Sequence, residues 1–310
     1  MLRASPLVSV IMPAYNAGHF IAESIKSVLF QSISNWELVI VNDGSNDNTV
    51  KIVESFIKED SRIKLLHQSN AKQGKARNLG IQFSEGPFVA FLDADDIWMP
   101  NHLEVLTNNI DALNADLVFS GANLFPIPNN DGNKKIGGMK IELIGHAGIE
   151  SLLKKNLIPI LTVLVKRSTL EKTGGFNEDP NFKNIEDYDL WLRVLWNGFT
   201  IHGLGLVTAT YRMHPQSNWS SLNEQANLEK HFWFFRYLWK SGKFKRHTPV
   251  FKSHFRQLGN RLLQIYAMDK NHASFLIHWK QILMLDTNLA IHWFPFLIRF
   301  NFSRFKLGFK

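Results

Sequence analysis

Four short apolar runs constrain the first 120 residues more than any other feature: LVSVIM (7–12), WELVIV (36–41), RIKLLH (62–67) and PFVAFL (87–92). Between them the apolar period changes from continuous to helical. Phe20, Ile21, Ile25, Val28 and Leu29 recur on one face after the first run, and Ile52, Val53, Phe56 and Ile57 after the second. QGKARNLGIQF (73–83) predicts a third helix. Strands alternating with helices require right-handed crossovers, which implies an α/β chain whose mostly parallel sheet is flanked by helices. In such sheets ligands gather at the carboxyl ends of the strands.

Those ends are rich in chemistry. Pro13, Ala14, Tyr15 and Asn16 follow the first run, and Asn42, Asp43, Gly44 and Ser45 the second. Lys72, Gly74 and Arg77 open the third helix. After the fourth run the chain reads FLDADDIWMP, crowding Asp93, Asp95 and Asp96 around Ala94. Adjacent carboxylates repel, and one of a pair is normally forced to hold a proton. A divalent cation removes that cost; a solvated acidic turn capping the next helix is the alternative. An aromatic, an acid able to accept from a base imide, two cations and this cluster on one rim suit a nucleotide diphosphate. There is no G-x-G-x-x-G and no Gly-Lys-Ser phosphate loop, so dinucleotide dehydrogenases and P-loop enzymes are disfavoured.

The segments VSVIMPAYNAGHFIAESIKSVLFQS, ELVIVNDGSNDNT, GKARNLGI, FLDADDIWMP and IEDYDLWLRV, in that order, resemble the signature of family 2 glycosyltransferases over residues 7 to about 220. Asn42 stands where that family often has Asp. The resemblance implies a GT-A-like fold with a nucleotide-sugar half (1–120) and an acceptor half (121–221). It also implies an inverting, metal-dependent glycosyltransferase, with a UDP-sugar as expected donor and a glycan or lipid-linked glycan as acceptor in surface polysaccharide biosynthesis. Carried onto this chain, Pro13, Ala14, Tyr15, Asn16, Asp43, Lys72, Arg77, Asp93, Ala94 and Arg212 would meet the nucleotide sugar. Asp95, Asp93 and His214 would surround Mn²⁺ or Mg²⁺. A sugar-nucleotide pyrophosphorylase is the rival enzyme, but PAYNAGHF has neither Arg nor Lys after the first strand. A degenerate, inactive nucleotide-sugar binder is the rival outside catalysis.

In the second half, FPIPNNDGNKKIGG between Gly121 and Gly145 has no clear period and is expected to be a variable loop. Leu190, Trp191 and Val194 form the apolar face of a helix, and Asp187 lies three, four and seven residues before them on the same inward stripe. An acid in a first helical turn is often only a cap or dipole partner. The resemblance assigns Asp187 as the base that takes the acceptor proton, with Glu186 beside it as acceptor ligand or substitute. Asp189 and Arg193, four apart, read as a surface pair. Gly174, Gly175 and Phe176 read as a helix-ending turn or, by resemblance, as lining of the acceptor site. YRMHPQSNWS (211–220) matches a mobile loop of the family, in which Arg212 would meet the pyrophosphate and His214 the metal.

Charge separates the rest. Residues 1–225 hold 20 Lys+Arg and 24 Asp+Glu, whereas residues 226–310 hold 15 and 3, together with 19 of the 38 aromatic residues. Residues 222–310 therefore read as a basic, aromatic-rich helical C-terminal region. Binding of nucleic acid, of an anionic membrane surface, or packing on the catalytic part would each use that composition. The membrane surface is the expected partner and nucleic acid is not. With no cysteine, no segment approaching a membrane span and no leader pattern, the expectation is a cytoplasmic protein, peripheral on the cytoplasmic face of the inner membrane.

Overall fold

The computed structural model describes residues 5–126, 134–214, 224–269, 271–284 and 291. The chain divides into two compact units, Met1–Ser217 and Asn218–Lys310.

The first unit begins β1 (Val8–Ala14), α1 (Ile21–Leu29), β2 (Trp36–Asn42), α2 (Thr49–Glu59), β3 (Ile63–His67), α3 (Lys72–Gln82) and β4 (Phe88–Phe91). It continues through β5 (Ile97–Trp98), α4 (His102–Ala112), β6 (Leu117–Phe125), β7 (Lys135–Gly137), β8 (Lys140–Leu143) and α5 (Gly145–Lys154). β9 (Val163–Lys166), α6 (Arg167–Thr173), α7 (Glu186–Trp196) and β10 (Ile201–Arg212) complete it. Among the described residues the strands form a ten-stranded sheet in the order β3-β2-β1-β4-β9-β6-β10-β5, with β7 on β6 and β8 on β10.

The block β3-β2-β1-β4 is parallel throughout, as the alternating periods predict. Every residue of β1 and β2 is buried, which is why their sequences are mostly apolar, and the buried Ser9 hydroxyl donates to Glu37 Oε1 at 2.7 Å. The strand order reverses at β1, between β2 on one side and β4 on the other. In open parallel sheets ligands gather at such a switch point, here at the carboxyl ends of β1 and β4. Beyond β4 the sheet is mixed: β9 runs antiparallel to both β4 and β6, while β10 runs parallel to β6.

The segment expected to be a variable loop, of which 127–133 lie outside the described residues, is partly sheet. β6 runs to Phe125, and the short strands β7 and β8 pair antiparallel with β6 and β10. Strands of three and four residues carry almost no periodicity, and glycine made them look like loop. A Cβ on Gly121 would lie 2.6 Å from the Gly138 Cα, so glycine is what lets these strands approach.

In the second unit α8 (Glu224–Lys240), α9 (Thr248–Met268) and α10 (His272–Leu283) are helical. The run HFWFFRYLWK turns much of its aromatic surface inward. Phe232, Phe234 and Phe235 are buried, with Phe232 edge-on to Phe255 at 5.6 Å and Phe235 edge-on to Phe251 at 5.9 Å. A large share of the aromatic excess is thus helix packing. Tyr237, Met268 and Ile277 remain exposed. Among the described residues no helix is long and apolar enough to cross a membrane.

Candidate active site

The rim over β1 and β2 is built from capping side chains. Pro13 and Ala14 end β1 as buried strand residues, and Tyr15 then emerges with its side chain exposed. Asn16 adopts φ 49°, in the left-handed region an asparagine tolerates. Its amide donates to Ser45 Oγ (3.0 Å) and its Oδ1 accepts from Asn46 N (2.9 Å). Gly18 N donates to Asp47 Oδ2 at 2.9 Å and Ala17 N to Thr49 Oγ1 at 2.8 Å. Asn42 closes the β2 turn by accepting from Ser45 N. The NDGSND cluster therefore staples the loop after β1 to the loop after β2.

Asp43 is buried and already engaged. It accepts from Gln68 Nε2 (2.7 Å), Ala71 N (2.7 Å) and Lys72 N (3.0 Å), filling three of a carboxylate's roughly four acceptor positions. Its first role here is to fix the approach to α3. Lys72, exposed at the first turn of that helix, donates to Asn70 Oδ1 at 2.7 Å.

The three crowded acids after β4 separate toward three different partners. Asp93 accepts from Arg77 (2.7 Å), Asp95 Oδ2 lies 3.0 Å from His214 Nε2, and Asp96 Oδ1 accepts from the Arg212 amide (2.9 Å). Burial, then the charge of Asp93, raises the Asp95 carboxyl above its ordinary value. Burial and the charges of both neighbours push Asp96 well up. Asp96 is 1% exposed and anchors the end of β10 through Oδ1, while its Oδ2 is buried without a hydrogen-bond partner. Ala94 is also buried, its carbonyl held by Ser24 Oγ at 2.9 Å.

Phe20 organises the far wall. Its ring centroid lies 4.5 Å from that of His214, and the Arg212 guanidinium sits 5.1 Å over it. Arg212 reaches on to Glu23 Oε2 at 2.6 Å, so its charge, expected on the pyrophosphate, is paired on the α1 side. The remainder of the loop 215–220 lies outside the described residues.

Asp95 and His214 supply one carboxylate and one imidazole side by side. Among the described residues no three His, Cys, Asp or Glu side chains form a metal cage. The carboxylate of that pair fits a hard divalent cation, which commonly takes one or two protein carboxylates and completes its shell with substrate phosphates and water.

Arg77 was expected to face the donor. Instead it is 1% exposed, and its guanidinium bridges Asp93 (2.7 Å) and Glu186 Oε1 (2.7 Å). A buried arginine needs such partners, and two carboxylates hold its pKa above the ordinary arginine value despite burial. The bridge brings the β4 acids and the start of α7 together across the two halves. Glu186 is consequently buried, with Oε2 unpartnered.

Asp187, next in the chain, is partly buried and accepts from Tyr188 N at 2.7 Å. Burial, then the adjacent Glu186 charge, lifts its carboxyl to about 7 against the pull of Arg77. That value suits a group that takes up a proton near neutral pH. Leu190, Trp191 and Val194 are fully buried as expected. Asp189 and Arg193 are not a surface pair. Asp189 is buried, and Arg193 joins it at 2.8 Å while donating to the carbonyls of Thr173 (2.6 Å) and Gly175 (2.7 Å). α7 packs against both α5 and α6, so one apolar stripe understates its burial. Gly174 is the left-handed cap of α6, at φ 81°.

Two contributors carried no recognised signal. Phe20 read only as part of an apolar helical face. Asn78, beside Arg77 in GKARNLGI, hydrogen-bonds both polar backbone atoms of Phe176. Its i+4 spacing from Gly74 is the pattern that marked a shared face.

Comparison with known proteins gives the family and the fold. A family model described as Glycosyl transferase family 2 matches residues 9–161. The UDP-Glc:alpha-D-GlcNAc-diphosphoundecaprenol beta-1,3-glucosyltransferase WfgD of Escherichia coli is 38% identical over 215 residues, 68% of this chain and 79% of that protein. A crystal structure of TarS 1-349 from S. aureus with UDP-GlcNAc superposes with TM-score 0.68 at 19% identity, over 91% of this chain and 82% of that one. The mannosyltransferase PcManGT of Pyrobaculum calidifontis, with GDP-Man and Mn2+, gives TM-score 0.60 at 16% identity, over 94% and 79%. These two structural likenesses speak to the fold.

Proposed function

The chain belongs to the family 2 glycosyltransferases, and from that premise we propose that it moves a hexose from a UDP-sugar to a hydroxyl of a diphosphate-linked glycan lipid, with inversion, in surface polysaccharide biosynthesis. The observation that carries the reading is the Asp93–Arg77–Glu186 bridge. It joins the acidic end of β4 to the first turn of α7, where Asp187 has its carboxyl near 7. The named substrates of WfgD and the UDP-GlcNAc bound to TarS support the donor and acceptor classes.

In this reading the acceptor oxygen attacks the anomeric carbon while the bond from that carbon to the diphosphate oxygen breaks. The hydroxyl proton passes to Asp187, and UDP leaves with the bonding pair. Tyr15 and Asn16 border the nucleoside position, and Asp43 orders the loop that closes beside it. Lys72 supplies positive charge at the rim. Glu186, held by Arg77, presents a fixed carboxylate next to the base. Mn²⁺ or Mg²⁺, held by Asp95 and His214 with Asp93 nearby, would supply Lewis-acid stabilisation of the leaving diphosphate. Release of UDP from UDP-glucose should rise when a GlcNAc-diphosphate lipid is added. Acceptor-independent release alone would count against the reading.

The basic second unit is read as contacting the anionic, cytoplasmic face of a membrane, supported by its 15 Lys+Arg against 3 Asp+Glu over residues 226–310. The protein should sediment with vesicles containing anionic lipid and release as salt rises, because exposed charges are screened beyond about 8–10 Å. Equal binding to neutral vesicles would remove the electrostatic part of this reading.

A further inference from the structure

Gly74, Arg77 and Asn78 follow the i, i+3, i+4 spacing that puts residues on one helix face. In α3 that face meets the segment 174–186 at every one of the three. A Cβ on Gly74 would lie 2.9 Å from the Asn177 carbonyl oxygen, so only glycine allows the approach. Arg77 holds Glu186. Asn78 grips one residue from both sides. Its Oδ1 accepts from Phe176 N and its Nδ2 donates to Phe176 O, each at 2.9 Å, with a further donation to Glu178 Oε1 at 2.8 Å.

That grip copies a rung of a strand pair with a side-chain amide in place of a neighbouring strand. It seats the buried Phe176 ring edge-on to Phe91 at 5.2 Å, with the Arg77 guanidinium 5.5 Å from its centroid. From the other side Arg193 of α7 binds the carbonyls of Thr173 and Gly175. The segment before the base helix is therefore pinned twice, once from the nucleotide half and once from α7 itself.

We propose that Asn78 is a positioning residue for the acceptor: it sets the segment 174–178 so that the acceptor hydroxyl meets Asp187, and it leaves donor binding alone. The proposal rests on the transfer reading above. Water attacking the donor needs no such alignment, so the ratio of transfer to hydrolysis isolates the effect.

Wild-type protein and Asn78→Ala are compared for UDP affinity, hydrolysis of UDP-glucose and transfer to a GlcNAc-diphosphate lipid. Asn78→Asp, which keeps shape and one acceptor oxygen, replaces the alanine variant if the latter does not fold. The expected result is unchanged UDP affinity with a transfer-to-hydrolysis ratio lower by about 10-fold or more, because small misplacements are costly in an aligned reaction. An unchanged ratio, or UDP affinity falling in step with transfer, overturns the proposal. A wild-type protein that leaves UDP-glucose intact under both conditions instead defeats the transfer reading. Hydrogen exchange at the Phe176 amide then decides whether Asn78 pins the segment. Faster exchange in the variant, with β1 amides unaffected, upholds the pinning, and equal exchange refutes it.

Discussion

Asp187→Asn should lower kcat by about 10²–10⁴ while leaving UDP affinity close to that of the wild type, because the amide keeps the shape and cannot accept the proton. The neighbouring variant separates base from support. Glu186→Gln removes one of Arg77's two charge partners and should retain more activity than Asp187→Asn. The reverse ranking would move the base to Glu186. Acidity gives a second reading of the same group. The free-enzyme carboxyl of Asp187 sits at about 7, raised by burial and by Glu186. The ionised form is the one that works, so kcat/KM should rise with pH through that region and level off above it. In Asp187→Asn this limb should vanish. A wild-type profile flat from pH 5 to 9 would contradict the assignment, those limits being about two units either side of the expected value.

Asp95→Ala should reduce turnover by about 10²–10³, the scale seen when one preorganised stabiliser of developing negative charge is removed. Asp95 lies in the turn after β4 with His214 as its partner, so the loss should fall on chemistry and leave thermal stability near wild type. Binding provides the independent readout. Adding Mn²⁺ should strengthen UDP binding to the wild type and have little effect on Asp95→Ala. Full activity in both EDTA-treated wild type and the variant would remove the cation from the account.

Much of the nucleotide half was legible in the sequence because β1 and β2 are buried on both faces, which makes a strand a mostly apolar run. The helices α1 and α2 had one wet face and so kept their period. The acceptor half was harder for a physical reason. β7 and β8 are too short to show alternation, and the glycines that permit close strand contact there resemble loop glycines.

Among the site residues, position was easier to read than environment. Arg77 and Asp96 are ionisable, and an ionisable side chain reads as exposed until a partner is known. Their partners, Glu186 for one and the Arg212 backbone for the other, are 109 and 116 residues away. Asp189 and Arg193 illustrate the same limit. A four-residue spacing fits an exposed pair as well as a buried clamp, and the carbonyls of Thr173 and Gly175 that decide the matter are invisible to spacing. Asn78 escaped because an asparagine inside a helix has no local signature when its partner is a distant backbone.

The most direct measurement is the anomeric configuration of the product formed from UDP-glucose and the GlcNAc-diphosphate lipid, read from the proton coupling at the new glycosidic carbon by NMR. UDP-glucose carries an α linkage, so a single displacement driven by Asp187 predicts a β-glucoside with the large coupling of a diaxial proton pair. An α-glucoside would contradict the single-displacement site described here.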